Sequence, residues 1–357
     1  MYILVFIIIL AILVLIHEFG HFIAAKKNGI KVEEFGFGFP PRIWGIKKGE
    51  TLYSINLLPI GGFVKLYGEE YHEEDGTKVD PKLKNRAFVN KKPWQKAVVI
   101  VAGVVMNFLL AWILISYLFT QGVPTPTNNV LIDDVKPGTP AATAGFKKSD
   151  EISSVRAGGR DQKVTDTNGL IALSKEYGGR EVVFNVRRDG RDMKIAVTPR
   201  KNPPAGEGPL GIVITSYIEK KYPWYEAPFY GLVHSFQITR QIVVELGKTL
   251  ASLLSFQGAK VDVAGPIGIA QFTGQAIKFG NNAVLELMAL LSLNLAVVNI
   301  LPFPALDGGR LVFVIYEWVT KRQVNKKIEQ YTNIFGMVVL LTMAALISIH
   351  DIVKLIK

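Results

Sequence analysis

Near the start of the chain, His17, Glu18 and His21 sit at the end of an apolar run, in "LVLIHEFGHFIAAKK" (residues 13–27). Ionisable groups are costly to take out of water, and inside a membrane span they mark function. In His17-Glu18-Phe19-Gly20-His21 the histidines are four residues apart. At 3.6 residues per turn both imidazoles then leave one face of a helix. Two imidazoles so spaced can share a zinc ion, with Glu18 beside it as general base. A catalytic zinc needs a third protein ligand and an open position for water. The candidate is Asp307, in "NLAVVNILPFPALDGGRLVFV" (residues 294–314). There Pro302 and Pro304 break the helix and free backbone groups that need polar partners. Gly308 and Gly309 are expected to give the chain room to approach an ion. Alone, an aspartate followed by two glycines is an ordinary turn, and it gains weight only beside the H-E-x-x-H. The chain has no cysteine, which excludes thiolate zinc sites, iron–sulfur clusters and disulfides. Any metal must be held by nitrogen and oxygen, and imidazole with carboxylate suits several divalent ions besides zinc.

Elements that position these residues must be apolar. Of the 357 residues 49% are hydrophobic, and mean hydropathy is +0.26, more than a soluble chain usually averages. The apolar residues gather at 2–25, 97–119, 331–349 and about 283–301. Each run is near the roughly 20 residues that cross about 30 Å of hydrocarbon. The last is interrupted by Glu286 and two asparagines. The expected fold is a multi-pass α-helical membrane protein with about four transmembrane helices. The first run lacks the basic flank and small-residue cleavage site of a signal peptide.

The charge, +11 overall, is unevenly spread. No basic residue precedes the first span, many lie between Lys26 and Lys96, and Lys321, Arg322, Lys326 and Lys327 separate the last two spans. The positive-inside rule then sets both basic loops in the cytosol and both termini outside, with the H-E-x-x-H near the cytosolic side. The region 120–282 is also basic but too long to count. Basic and aromatic residues do not alternate as on a nucleic-acid surface, so no nucleic-acid partner is expected. The positive balance reads as topology and contact with the lipid bilayer.

Between the spans the texture varies. "KVEEFGFGFPPRIWG" and "ETLYSINLLPIGGFVKLYG" alternate apolar and polar residues and predict strands or hairpins in or against the membrane face. Residues 69–96 are polar and predict a surface loop. In the soluble-looking stretch from Gly122, "VTDTNGLIALSKEYG" predicts a helix with Leu170, Leu173 and Tyr177 on one face. "EVVFNVRRDGRDMKIAVTP" predicts a hairpin turning at Asp189–Gly190. "PGTPAATAGFKKSDEI" resembles the signature of bacterial PDZ domains, with Ser149 where glycine is usual. That resemblance implies a peptide partner bound by strand addition. "APFYGLVHSFQITRQIVVELGKTLASLLSF" predicts an interfacial amphipathic helix, and "VAGPIGIAQFTGQAI" a broken apolar piece that dips into the membrane. "GPIGIA" fits either a functional element or a packing turn. His72, His234 and His350 read as surface residues.

Taken together, an intramembrane H-E-x-x-H, the later run Asn299, Pro302, Pro304, Leu306, Asp307, Gly308, and a PDZ-like insertion resemble the site-2 protease family of intramembrane zinc metalloproteases. "EFGFGF" (34–39), "LLPIGGFVKLYGE" (57–69), "AGVVMNF" with its Gly103-to-Asn107 spacing, and "GPIGIA" (265–270) extend the likeness to the bacterial regulator-of-sigma-E proteases. One departure is a single PDZ-like domain where members often carry two. The resemblance implies His17, His21 and Asp307 as zinc ligands, Glu18 as catalytic base, and a transmembrane substrate such as an anti-sigma factor or remnant signal peptide. Asn294 and Asn299, 13 and 8 residues before Asp307, match substrate-contacting asparagines of the family. They fit equally well as glue between helices. The strands at 34–39 and 57–67 are expected to offer an edge to an unwound substrate.

The expected division is a first transmembrane helix (1–26), a cytosolic or membrane-associated β region and loop (27–96), and a second transmembrane helix (97–121). An extracytoplasmic PDZ-like domain (122–215) follows, then an interfacial helix with the GPIG segment (216–282). A third transmembrane region with the LDG motif (283–320) precedes a cytosolic turn and fourth transmembrane helix (321–357). The rivals are a non-catalytic scaffold that binds exported peptides and a metal transporter. The scaffold has no need of all four polar residues, and no inverted repeat supports the transporter.

Overall fold

The computed structural model describes residues 2–69, 80–254 and 265–356. It divides into two compact units, Gln121–Tyr222 and the remainder. The remainder opens with helix α1 (Tyr2–Lys27), followed by strands β1 (Val32–Lys48) and β2 (Thr51–Leu66) and helix α2 (Pro93–Gln121). After the second unit come α5 (Ala227–Leu254), α6 (Pro266–Phe279), α7 (Asn281–Ile300), α8 (Asp307–Thr320) and α9 (Lys326–Ile356). Among the described residues four helices are long and apolar enough to cross a membrane: α1, α2, α7 and α9. These are the four runs read from the sequence. The second begins earlier than expected, at Pro93, a residue suited to the first helical turn.

Small residues let α1 and α2 meet backbone to backbone. Gly20 faces the Ala102 carbonyl with no room for a Cβ, the kind of approach that drives helix association in lipid. Above this contact Ile9 and Leu13 pack with Met288 of α7. Below it Ala25, Ile30, Val32, Leu66 and Val99 form a second buried cluster, which seats the strands against α1.

β1 and β2 pair antiparallel, but each bends back on itself. Gly36 lies between Phe63 on one side and Ser54 on the other, and Ser54 also pairs with Gly45. The runs are thus ordered 62–65, 34–37, 52–55, 44–47. This corrects one expectation: 34–37 is enclosed on both sides and offers no edge, whereas 62–66 is outermost among the described strands. Phe39, Ile43, Trp44, Ile46, Leu57 and Leu58 are exposed at the far end.

The stretch 69–96 expected as a surface loop lies at the surface over most of its described part, but it is ordered by turns and its last four residues belong to α2; 70–79 lies outside the described residues. Two 3-10 turns, Pro81–Arg86 and Phe88–Asn90, occupy it. Phe88 N–H donates to the Tyr67 carbonyl, Lys31 N–H donates to Arg86, and Ala87 is fully buried. Glu50, at the strand turn, accepts from Arg86 and from Lys26. Those cations hold its carboxyl down at about 2.

α6 is another difference. Its described part is one continuous helix, not a broken piece, because Pro266 sits at its first position and Asp351 of α9 caps it. The Asp351 carboxylate accepts from the backbone N–H groups of Gly265 and Gly268, at 3.0 and 2.9 Å.

The unit Gln121–Tyr222 contains β3 (Val123–Val135), α3 (Pro140–Ala144), β4 (Glu151–Ala157), β5 (Arg160–Lys163), α4 (Thr167–Glu176), β6 (Val182–Arg188), β7 (Arg191–Val197) and β8 (Ile212–Lys220). Its sheet runs β7-β6-β4-β3-β8, with β5 on β4. Leu170 joins Val130, Ile132, Ile152 and Phe184 in the core, and Leu173 and Tyr177 pack against it. Asp189 and Gly190 both have positive φ, 49° and 77°, as a two-residue hairpin turn of this type demands. Ser149 adopts φ 70°, the left-handed conformation that makes glycine the usual choice there. Next to it buried Asp150 accepts two bonds of 2.6 Å from the Arg188 guanidinium, whose pKa is raised by that bond.

Candidate metal centre

α1 carries His17 and His21 one turn apart, and α8 begins at Asp307, where a carboxylate is favoured by the helix dipole. His17 Nε2 lies 2.9 Å from Asp307 Oδ2, His21 Nε2 lies 3.2 Å from the same oxygen, and the two Nε2 atoms are 3.1 Å apart. All three side chains are largely buried. Three lone-pair donors at such separations fit one small cation. Four ligand atoms about 2.0–2.1 Å from a tetrahedral zinc stand roughly 3.3 Å from one another. The donor set, two imidazoles and one carboxylate, is that of catalytic zinc and leaves a position open.

The turn that delivers Asp307 has several supports. Gly308 has no space for a Cβ beside the carbonyls of Ile300 and Leu301, nor Gly309 beside Phe303. The two glycines therefore admit backbone at the end of α7; they do not make room for an ion, as the sequence alone suggests. Ala305 takes the strained φ of 68° and donates its N–H to Asn333 Oδ1 of α9. Gly336, one turn further along α9, lies flush against Pro304. Arg310 pairs with Glu69, at the end of the strands. The far end of α8 is fixed by Glu317, whose carboxylate receives the buried Lys96 ammonium of α2 at 2.8 and 3.0 Å. The supports from Asn333, Gly336, Glu69 and Lys96 have no local sequence signal, since each joins residues far apart in the chain.

α2 lines the back of the histidines. His21 Nδ1 lies 2.8 Å from the Val99 carbonyl. Asn107 Nδ2 lies 3.3 Å from His17 Nδ1. A Cβ on residue 103 would stand 2.5 Å from His21 Nε2, so Gly103 leaves the space the rings fill. The Gly103-to-Asn107 spacing was the only sign of this wall.

A cavity of ≈ 220 Å³ opens beside the three donors, lined by Val14, His17, Glu18, Leu295, Asn299, Leu306 and Asp307 among others. Glu18 reaches it from α1, and Gly62 of the outermost strand packs over the Glu18 side chain. Of the two asparagines singled out in the sequence, Asn299 is in the cavity wall, its Nδ2 3.4 Å from His17 Nε2. Asn294 is not among those residues; its amide donates to Leu290 O of its own helix. His234 and His350 are exposed and away from the donors, and His72 lies outside the described residues.

Residues 5–343 match the sequence profile of Peptidase family M50. The chain belongs to this family, the site-2 proteases. A Clostridium perfringens protein designated a zinc metalloprotease is 35% identical over 357 residues, covering 99% of each chain. The regulator of sigma-W protease RasP of Bacillus subtilis is 29% identical over 98% of each. The zinc metalloprotease RasP of Bacillus licheniformis is 30% identical over the same share. As an M50 peptidase the chain is a zinc metalloprotease, and its four apolar helices make it a membrane protein.

Proposed function

We propose that this peptidase hydrolyses a peptide bond within a transmembrane segment of another membrane protein, with zinc held by His17, His21 and Asp307 and Glu18 as catalytic base. The observation that carries the reading is the convergence of His17 Nε2, His21 Nε2 and Asp307 Oδ2 within 3.2 Å beside Glu18. Zinc, when bound, supplies a Lewis acid that acidifies a water and polarises the scissile carbonyl. The Glu18 carboxylate accepts the proton of the attacking water and returns it to the leaving amine nitrogen. The Asn299 amide, on the same wall, donates towards the carbonyl oxygen as negative charge grows there. Val14, Leu295 and Leu306 give the cavity apolar walls that limit water. The Asn294 amide is engaged by Leu290 of its own helix, and this reading gives it no part in the cavity.

A substrate helix keeps its peptide bonds inside its own hydrogen bonds, so it must unwind locally and find new partners in lipid. The outer run 62–66, which packs by Gly62 over Glu18, is suited to supply them by strand addition. The exposed apolar end of β1–β2 supports a sheet embedded in the membrane face. The unit Gln121–Tyr222, somewhat longer than the 122–215 expected from the sequence because β8 runs to Lys220, is a PDZ-like domain that recruits an extracytoplasmic peptide. Its β8, paired only with β3, leaves an edge for such a ligand among the described strands. The designation of the Bacillus subtilis relative supports a membrane-anchored anti-sigma factor as the substrate class, trimmed outside before this enzyme releases a cytosolic fragment.

The test is cleavage of a tagged single-span substrate by purified protein beside Glu18→Gln, with zinc counted in both. Loss of general-base catalysis lowers turnover by about 10²–10⁴-fold, with zinc retained. Equal cleavage by the variant would sink the assignment of Glu18. Bound zinc without cleavage of several unrelated spans would favour a scaffold.

A further inference from the structure

Positions 99, 103 and 107 of α2 lie one turn apart on the helix face that meets α1. The first gives a carbonyl to His21, the second leaves space for both rings, and the third carries a fully buried amide against His17. The Asn107 Nδ2 faces His17 Nδ1, and Oδ1, although buried, has no hydrogen-bond partner among the described residues. That orientation conflicts with the ring's chemistry. The atom of His17 that meets Asp307 and His21 is Nε2. If Nε2 is to give its lone pair to a metal, the neutral ring carries its proton on Nδ1. Nδ1–H and an amide NH₂ are both donors and cannot bond. The two ends of an amide are assigned from their partners, not from shape, and turning the group by half a revolution exchanges them. Turned, Asn107 offers Oδ1 to the Nδ1 proton.

We propose that Asn107 is a positioning residue of the metal centre: its amide oxygen accepts the Nδ1 proton of His17 and fixes the tautomer that aims Nε2 at Asp307 and His21. The inference rests on His17 being a ligand, as proposed above. It makes the two histidines equivalent in kind. His21 donates Nδ1–H to the backbone oxygen of Val99, and His17 donates to a side-chain oxygen two turns further along the same helix. Metal-bound histidines commonly use their second nitrogen in this way, and the acceptor fixes both ring orientation and basicity. A backbone acceptor is unavailable inside a helix unless the ring reaches a carbonyl from the side, as at Val99. At position 107 the side chain supplies it. The backbone at Asn107 is held in turn from α7, where Ser292 Oγ donates to the Asn107 main-chain carbonyl at 2.8 Å.

The experiment measures zinc affinity of the full-length protein in detergent by competition with a chromophoric chelator. It compares the parent with Asn107→Leu, similar in size without an acceptor, and Asn107→Asp, which keeps one. Loss of an outer-shell acceptor weakens zinc by about 10–100-fold, so N107L is expected to fall by that factor and N107D to stay within about threefold of the parent. Melting of the metal-free proteins is followed in parallel, and the three are expected to coincide. If N107L melts early, Asn107→Ala against Asn107→Ser repeats the contrast at smaller volume, with more zinc kept by the serine variant. Parent-like zinc affinity in N107L overturns the proposal. Equal losses in N107L and N107D overturn it too, in favour of simple packing. Absence of zinc from the parent overturns the metal reading beneath it, an outcome distinct from the other two.

Discussion

At the scale of single residues the centre depends on small side chains as much as on ligands. Gly103 is the clearest case, because a Cβ there meets His21 Nε2 at 2.5 Å and His17 Cε1 at 2.7 Å. Neither ring can retreat: His21 is tied to Val99 and His17 is flanked by Asn107. Gly103→Ala is therefore expected to push both imidazoles towards Asp307 and spoil the common point. A displacement on the order of 1 Å at a reacting centre costs about 10²-fold in rate. Cleavage assays with zinc counting should show both activity and metal content falling. Unchanged activity would mean that α1 and α2 separate more easily than the Gly20–Ala102 contact implies. The proposed ligands His17 and His21 stand out because their spacing is local and their surroundings apolar, and Asp307 because it follows two prolines in an apolar run. Asn107 was visible only as a match of spacing, since its meaning depends on which face of α2 meets α1. Lys96 and Glu317 were not visible at all, because a buried ion pair between positions 221 residues apart leaves no periodic trace.

At the scale of elements, the four membrane helices could be read from hydropathy, which reports composition over about 20 residues. The sheet could be recognised as strands but not ordered, because one long hairpin that folds back on itself has the same alternation as separate short ones. Its order decides which run can meet a substrate. Phe63 and Val64 are adjacent on the outermost run, paired with Gly36 and Phe35. Successive N–H groups of a strand point to opposite sides, so one of the two donates inward and the other outward. Proline lacks that donor and is tolerated only where the N–H is not needed. Of Phe63→Pro and Val64→Pro, the one that removes the outward donor is expected to reduce substrate cleavage by about tenfold, the worth of about one hydrogen bond, with zinc content intact. The other loses an internal bond and destabilises the sheet. If both variants cleave normally, the outer run is not the platform for unwound substrate. α6 shows the opposite limit of legibility. Pro266 reads as a breaker, yet it opens a helix whose first turn is capped by Asp351, 86 residues away.

For the molecule as a whole, contacts at the helix ends sort the membrane unit into two groups. Tyr2 at the start of α1 lies under Gly274 of α6, and Asp351 near the end of α9 caps α6. At the opposite ends, Lys26 at the close of α1 reaches Glu50, and Lys96 at the opening of α2 reaches Glu317 at the close of α8. Both ends of the chain thus gather on one side, and the Lys-rich connections gather on the other. The positive-inside rule then predicts that the side with the strand turn and the α8–α9 connection is cytosolic, and that Lys148 is reached from outside. A chain without cysteine allows a direct check, because each introduced thiol is the sole target for a maleimide. Lys148 has 72% of its side chain exposed, and Lys48 and Gln323 are also exposed. In right-side-out vesicles a membrane-impermeant maleimide is expected to label Lys148→Cys directly, and Lys48→Cys and Gln323→Cys only after detergent is added. The positive-inside rule and the ion pairs rest on different physics, one on charge during insertion and the other on packing after it. Labelling of Gln323→Cys from outside would break their agreement, and a bond cut near His17 and Asp307 would then release its fragment on the wrong side of the membrane for a cytosolic signal.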